Sequence, residues 1–167
     1  RPCQAPVGAR GAELVDGPAH CGACHTPRSL TLQEKSLTAA DGADYLAGGG
    51  VVDGWSPPSL RQDNRTGLGR WREGDIVDFL RTGRARTGSA FGGMTDAIRP
   101  GTQYLTDQDL HAIARYLLSL PPRRLPDTPW QYNAGTASAL RRGDASARGA
   151  LVYVNNCAAC HRSDGLG

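Results

Sequence analysis

Two copies of the pattern Cys-x-x-Cys-His constrain this chain of 167 residues more than any other feature. The first copy runs from Cys21 to His25 and the second from Cys157 to His161. The spacing is typical of c-type haem attachment, because two thiols must add to the two vinyl groups on one porphyrin edge while the adjoining imidazole ligates iron. We therefore predict two covalent haem c groups, with these attachment cysteines and histidine ligands: Cys21, Cys24 and His25 for the first, and Cys157, Cys160 and His161 for the second.

Paired cysteines at this spacing have two other interpretations. Thiolates are good zinc ligands, and neighbouring cysteines exchange disulfides. Two pairs would supply four thiolates, so a zinc-binding module remains an alternative at this stage. The long separation of the pairs and the histidine directly after each pair favour haem.

An internal repeat accompanies the two motifs. The tetrapeptide Ala-Arg-Gly-Ala occurs at Ala9–Ala12 and again at Ala147–Ala150, and each copy is followed by an apolar stretch and then by Cys-x-x-Cys-His. We predict that a short helix leads into each motif. The apolar residues of these two helices are Leu14 and Val15 in the first copy, and Leu151, Val152 and Val154 in the second.

Two further helices are predicted between the motifs. Thr106 and Asp109 have the spacing of a capping box, and apolar residues then recur at helical intervals until Pro121. This pattern predicts an amphipathic helix of about fourteen residues. A shorter helix is predicted around Asp75–Arg81, with Gly83 well placed to end it.

Met94 is the only methionine of the chain and a candidate sixth ligand of the first iron. It follows Gly92 and Gly93, which would let the backbone come close to a haem ring. Most methionines fill gaps in apolar cores instead, so that role is the alternative. His20 and His111 are the histidines outside the motifs, and they are the substitutes if Met94 is not the ligand.

A longer pattern resembles one family. The order of helix and motif is similar to the opening of a class I cytochrome c domain. The region from Ala9 to Pro122 resembles the central domain of the multihaem cytochrome c subunit of periplasmic, membrane-associated dehydrogenases. The runs that carry this resemblance are Gly17–Arg28, Tyr45–Gly49, Gly54-Trp55, Gly67–Trp71, Asp75–Val77, Thr82-Gly83, Gly93-Met94 and Asp109–Leu117.

The resemblance implies an all-α fold. We expect a class I cytochrome c domain over residues 1–122, a linker over 123–146 and an incomplete second cytochrome c domain over 147–167. In such a domain the last helix packs across the first. The resemblance also implies that Met94 pairs with His25 on the iron, and that the carbonyl of Pro58 accepts a hydrogen bond from the His25 imidazole, which orients the ring.

The same resemblance implies electron transfer rather than catalysis, and we predict no catalytic residue. The expected electron donor is a dehydrogenase subunit, which is a quinoprotein, flavoprotein or molybdoprotein, and the expected acceptor is a quinone or a terminal oxidase. The expected location is the periplasm, at the outer face of the cytoplasmic membrane. Because no second methionine is present, a haem enzyme with an open iron site at His161 is the alternative function.

Composition excludes two classes of function. The net charge of +3 comes mostly from arginine, but acidic residues interleave with the arginines between Arg61 and Arg86, which argues against nucleic-acid binding. Some of these arginines, with Trp55 and Trp71, are expected to pair with or cover the haem carboxylates. No apolar run approaches the roughly 18 residues of a membrane span, so any membrane association depends on a partner or on sequence outside this chain.

Cys3, the fifth cysteine, is expected to be a free thiol.

Overall fold

The structure is a computed structural model that describes residues 7–51, 54–129, 131–163 and 165, and Cys3 lies outside these residues. The chain divides into two compact units, Arg1–Pro129 and Trp130–Gly167, and each is described by itself. The elements of the first unit are α1 (Val7–Asp16), α2 (Gly22–His25), α3 (Glu73–Thr82), β1 (Arg84–Ala85), β2 (Gly88–Ser89), α4 (Gly93–Ile98) and α5 (Asp107–Ser119), with 3-10 turns at Ala39–Asp41 and Thr102–Tyr104. Those of the second unit are α6 (Ala134–Arg141), α7 (Ala150–Asn156) and α8 (Ala158–His161).

The predicted all-α class is confirmed. The strands β1 and β2 form only a short antiparallel hairpin, in which Arg84 lies opposite Ser89. The predicted helices ahead of the two motifs are also present, as α1 and α7. The segment predicted as a linker contains α6, and the division into units falls after Pro129 rather than after residue 122. The domain boundaries drawn from the sequence remain a prediction.

The helix α5 begins where the capping signal placed it. The Thr106 hydroxyl oxygen accepts a hydrogen bond from the Asp109 amide at 3.1 Å, and the helix ends at Ser119, ahead of the proline pair. The carboxylate of Asp109 was expected to complete the capping box. It accepts a hydrogen bond from Arg10 Nε at 2.9 Å instead, because α1 crosses α5 at this point.

The crossing of α1 over α5 builds the centre of the first unit. Gly11 of α1 lies directly against the Ala112 carbonyl, and a methyl group on Gly11 would lie 2.6 Å from Tyr116 Cβ. A residue without a side chain is therefore required for the two helices to approach this closely. This packing confirms the expectation that the last helix lies across the first. Buried apolar side chains of both helices then join one core with Tyr45, Leu46, Leu68, Ile76, Val77 and Leu80.

The helix α3 also packs on α5. It begins two residues earlier than predicted, because the Asp75 carboxylate accepts a hydrogen bond from the Arg72 amide at 2.8 Å and so caps the first turn. It ends as predicted at Gly83, whose φ of 76° is left-handed. At the start of α3, Glu73 accepts hydrogen bonds from His111 Nδ1 at 2.6 Å and from Arg115 Nε at 2.8 Å, which joins the two helices.

The second unit has little buried surface in its described part. The side chain of Asn133 caps α6 by accepting from the amides of Gly135 and Thr136. Gly149, with φ of 80°, precedes α7. The apolar residues of α7, Leu151, Val152 and Val154, are exposed. Among the described residues of the whole chain, no helix is both long and apolar enough to cross a membrane.

Candidate haem-binding site

The first Cys-x-x-Cys-His motif forms its own short helix directly after α1. Gly17 and Pro18 end α1, since Pro18 has no amide hydrogen to donate, and the chain turns back so that Cys21 N donates to Val15 O at 3.1 Å. The motif then forms α2, in which His25 N donates to Cys21 O at 2.9 Å. Cys21 and Cys24 are both free thiols. Burial raises the pKa of the Cys21 thiol to about 11, so this thiol is protonated at neutral pH.

The imidazole of His25 is oriented by Pro58. Its Nδ1 lies 2.8 Å from the Pro58 carbonyl oxygen. A carbonyl oxygen can only accept, so Nδ1 carries the hydrogen and the lone pair of Nε2 is available to a metal. Burial lowers the pKa of His25, against the smaller opposing effect of the Pro58 hydrogen bond, which favours the neutral imidazole that ligates iron. The predicted contact between His25 and Pro58 is confirmed.

A glycine pair brings Pro58 to the histidine across a long stretch of sequence. Gly48 N donates to His25 O at 2.8 Å, and Gly49 N donates to Pro57 O at 3.1 Å. A side chain on Gly49 would overlap the Cys24 carbonyl group. The pair Gly48-Gly49 therefore lies between α2 and the proline segment, at a spacing that only glycine permits.

Met94 lies in the first turn of α4 rather than in a loop. The preceding Gly92 has φ of 53° and ψ of −138°, and the helix starts at Gly93. Met94 is partly buried and packs against the same apolar core as Cys21. Its role as an iron ligand remains a prediction.

Each substitute for Met94 has its ring Nδ1 in contact with a protein oxygen. His20 Nδ1 lies 3.0 Å from the Pro18 carbonyl oxygen, and His111 contacts Glu73 as described above. The expected arginine partners of the haem carboxylates also contact protein groups. Arg61 is buried and donates to the Tyr45 carbonyl at 3.0 Å and to the Pro121 carbonyl at 2.8 Å.

The residues present fit a haem. The donor set combines two free thiols, an imidazole with a lone pair on Nε2, and a thioether on the same core. Large apolar side chains are exposed in the segments that follow the motif and precede Met94, and exposed apolar surface of this kind is available for a porphyrin to cover; they are Leu30, Leu32, Leu37, Val51, Trp55 and Phe91. Within the described ranges, no group of three or more His, Cys, Asp and Glu side chains is arranged to hold a metal ion.

Two contacts near the first motif were not predicted. Arg28 donates to the carbonyls of Ala23, at 2.6 Å, and Leu32, at 2.5 Å, and so holds the turn that follows the motif. The rings of Trp55 and Phe91 are stacked, with centroids 5.9 Å apart. Neither contact has a sequence signal of its own, because the side chains meet only once the loops are folded.

The second motif is less enclosed. Cys157 precedes α8, and His161 is its last residue. The Tyr153 hydroxyl donates to the carbonyls of His161 and Arg162, at 3.1 Å and 2.5 Å, which fixes the backbone at the end of α8. The His161 side chain is exposed, and in the described part of this unit its ring has no counterpart of the Pro58 contact.

Comparison with known proteins agrees with the fold and the site. The cytochrome c family pattern matches residues 8–121. The chain is 54% identical over 160 residues to the cytochrome c subunit of the quinone-type alcohol dehydrogenase of Gluconacetobacter polyoxogenes, covering 95% of this chain and 34% of that protein. It is 53% identical to the gluconate 2-dehydrogenase cytochrome c subunit of Pantoea cypripedii, with 96% and 36% covered, and 35% identical to the fructose dehydrogenase cytochrome subunit of Gluconobacter japonicus, with 95% and 34% covered.

The chain spans about a third of the length of these relatives. They confirm the predicted resemblance to cytochrome subunits of dehydrogenases. The family match covers more than half of the chain, and its bounds include all but the first residue of α1, the first motif, Met94 and α5. The chain therefore belongs to the cytochrome c family, whose members carry covalent haem c.

Proposed function

We propose that this chain transfers electrons through haem c held at both motifs. Bound iron would supply the redox chemistry by cycling between its ferrous and ferric states. The observation that carries the proposal is the hydrogen bond from His25 Nδ1 to Pro58, beside two free thiols. It sets the ring tautomer that leaves Nε2 free to ligate iron.

Each residue of the first site has a separate task in this proposal. Cys21 and Cys24 would hold the haem covalently, His25 would ligate the iron through Nε2, and Met94 would supply a thioether as sixth ligand. A thioether and an imidazole as iron ligands raise the reduction potential relative to more basic ligands. At the second site Cys157, Cys160 and His161 have the corresponding tasks, with the sixth ligand unassigned.

Haem counting tests the attachment residues. We would express the full chain with a c-type haem maturation system and measure intact mass and haem-stained denaturing gels. The unaltered chain should carry two haems. The paired variants Cys21→Ala with Cys24→Ala, and Cys157→Ala with Cys160→Ala, should each carry one. An unchanged haem count in either variant would contradict the assignment of that motif.

Optical spectra test Met94. In the oxidised protein, Met94→Ala should keep the haem but lose the sulfur-to-iron charge-transfer band and become high-spin. The matched controls are His20→Ala and His111→Ala, which should leave the band intact. Survival of the band in Met94→Ala would show that another group ligates the iron.

The relatives support a dehydrogenase as the electron donor, since their names describe cytochrome subunits of alcohol, gluconate and fructose dehydrogenases. We propose that this chain, in the periplasm, accepts electrons from such a subunit and passes them to a quinone or a terminal oxidase. The purified chain should be reduced rapidly by dehydrogenase plus substrate and hardly at all by alcohol, aldehyde or sugar alone. Direct reduction by substrate, free of any second subunit, would contradict the proposal.

A further inference from the structure

Trp55 stacks on Phe91. The Trp55 side chain is 53% exposed and that of Phe91 is 64% exposed, and the two rings have an interplanar angle of 12° and centroids 5.9 Å apart. The contact joins two loops, one containing Trp55 and one ending at Phe91.

The indole of Trp55 also lies against the backbone of Gly92, the residue that follows Phe91. A side chain on Gly92 would lie 2.5 Å from the indole Nε1 and 2.8 Å from its Cγ. Gly92 has φ of 53° and ψ of −138°, a conformation that residues with a side chain rarely adopt. Trp55 therefore contacts two consecutive residues and covers a backbone turn that depends on glycine.

These two residues form the start of the helix that carries Met94. Met94 N donates to Phe91 O at 3.3 Å, and Thr95 N donates to Gly92 O at 2.9 Å. The carbonyl groups of the residues touched by Trp55 thus accept the first hydrogen bonds of α4. Any movement of Phe91 and Gly92 would be transmitted to Met94.

Trp55 lies equally close, along the chain, to the partner of His25. Three residues after Trp55, the carbonyl of Pro58 accepts the hydrogen bond from His25 Nδ1. The segment 55–58 therefore contacts the imidazole at one end and the turn before Met94 at the other. One short segment supports both candidate axial ligands.

We propose that Trp55 is a positioning residue that holds Met94 in place for iron ligation. The inference rests on the proposed function, because it assumes that Met94 ligates the first iron. Trp55 acts through Phe91 and Gly92, which it contacts. Its loss should let the Met94 turn open more often and expose the iron to an added ligand.

Competition with imidazole measures this opening. We would use the full chain with Cys157→Ala and Cys160→Ala, so that only the first haem contributes, and titrate the oxidised protein with imidazole while following the sulfur-to-iron band. Trp55→Ala loses the energy that a stacked aromatic pair contributes beyond its burial, so it should bind imidazole about two- to tenfold more tightly than the parent. Trp55→Phe keeps an aromatic ring and should restore most of the difference.

Tyr104→Ala is the matched control, because it removes another exposed aromatic ring that is absent from the contact with Phe91 and Gly92. It should bind imidazole like the parent. Phe91→Ala removes the same stack from the other side, and it replaces Trp55→Ala if that variant does not fold. Equal imidazole affinity in the parent, Tyr104→Ala and the variant that removes the stack would overturn the inference.

A different result would refute the proposed ligand as well. If the parent lacks the sulfur-to-iron band, and Met94→Ala binds imidazole as the parent does, Met94 is not the ligand and Trp55 positions nothing for it. If the parent has the band and Met94→Ala loses it, while Trp55→Ala behaves as the parent, the ligand assignment stands and the role of Trp55 alone is wrong.

Discussion

Gly11 offers the sharpest test of how α1 and α5 meet. In Gly11→Ala the new methyl group would overlap the Ala112 carbonyl oxygen and lie 2.8 Å from its carbon and 2.6 Å from Tyr116 Cβ. These atoms belong to the backbone of α5 or to the root of a side chain. No change of rotamer can move them away, so the two helices must separate.

The magnitude follows from two opposing effects. Overpacking of this kind costs about 1–3 kcal/mol. Alanine is the better helix former and returns up to about 1 kcal/mol. Gly8→Ala, in the same helix, is the matched control because nothing lies within 4 Å of its added methyl group. The gain in helix propensity is common to both variants, so their difference in unfolding free energy should be about 1–3 kcal/mol.

Urea unfolding of the haem-loaded chain, followed by far-UV circular dichroism, measures this difference. Gly11→Ala should unfold at a lower urea concentration than the parent, and Gly8→Ala at the same or a higher one. If both variants are stabilised alike, α1 and α5 do not approach at Gly11, and the account of the crossing is incorrect.

Three other substitutions test contacts around the core. Tyr45→Phe removes the hydroxyl that donates to Asp16 and should lower the unfolding free energy by about 1 kcal/mol in urea titrations. Hydrogen bonding to His111 lowers the pKa of Glu73, so the stability that this carboxylate contributes is complete above its unfolded pKa and is lost as pH falls through the folded value. The urea midpoints of Glu73→Gln and the parent should therefore differ at about pH 6 and converge as the pH falls well below the ordinary glutamate pKa of about 4.3. Gly83→Ala places a side chain at φ of 76° and should lower the free energy of unfolding by about 1 kcal/mol, which a lower melting temperature would show.

Local signals predicted four helices, α1, α3, α5 and α7, but neither α4 nor α6. The cap at Thr106 and the glycine at Gly83 placed one end of α5 and one end of α3, because capping depends on residues next to each other in sequence. The predicted start of α3 was two residues late. The Asp75 carboxylate accepts a hydrogen bond from the Arg72 amide, and apolar periodicity carries no signal for such a contact.

Contacts between distant segments were beyond such signals. The carboxylate of Asp109 was assigned to its own helix, but the crossing of α1 supplies Arg10 as its partner. The stacking of Trp55 on Phe91 could not be predicted from the sequence either, because the two residues belong to distant segments of the chain. The contact between His25 and Pro58 was predicted only through the family resemblance, because no spacing rule relates a histidine to a carbonyl 33 residues later.

The crossing of α1 and α5 also sets an order of events during synthesis. The ion pair between Arg10 and Asp109 closes a loop of 99 residues, and such a loop loses chain entropy before its contacts compensate. The helix α1 can therefore pack on α5 only after nearly the whole unit has been made. Cys21 and Cys24 directly follow that helix, so both thiols emerge early and remain accessible to covalent modification until α5 arrives and the core closes around Cys21.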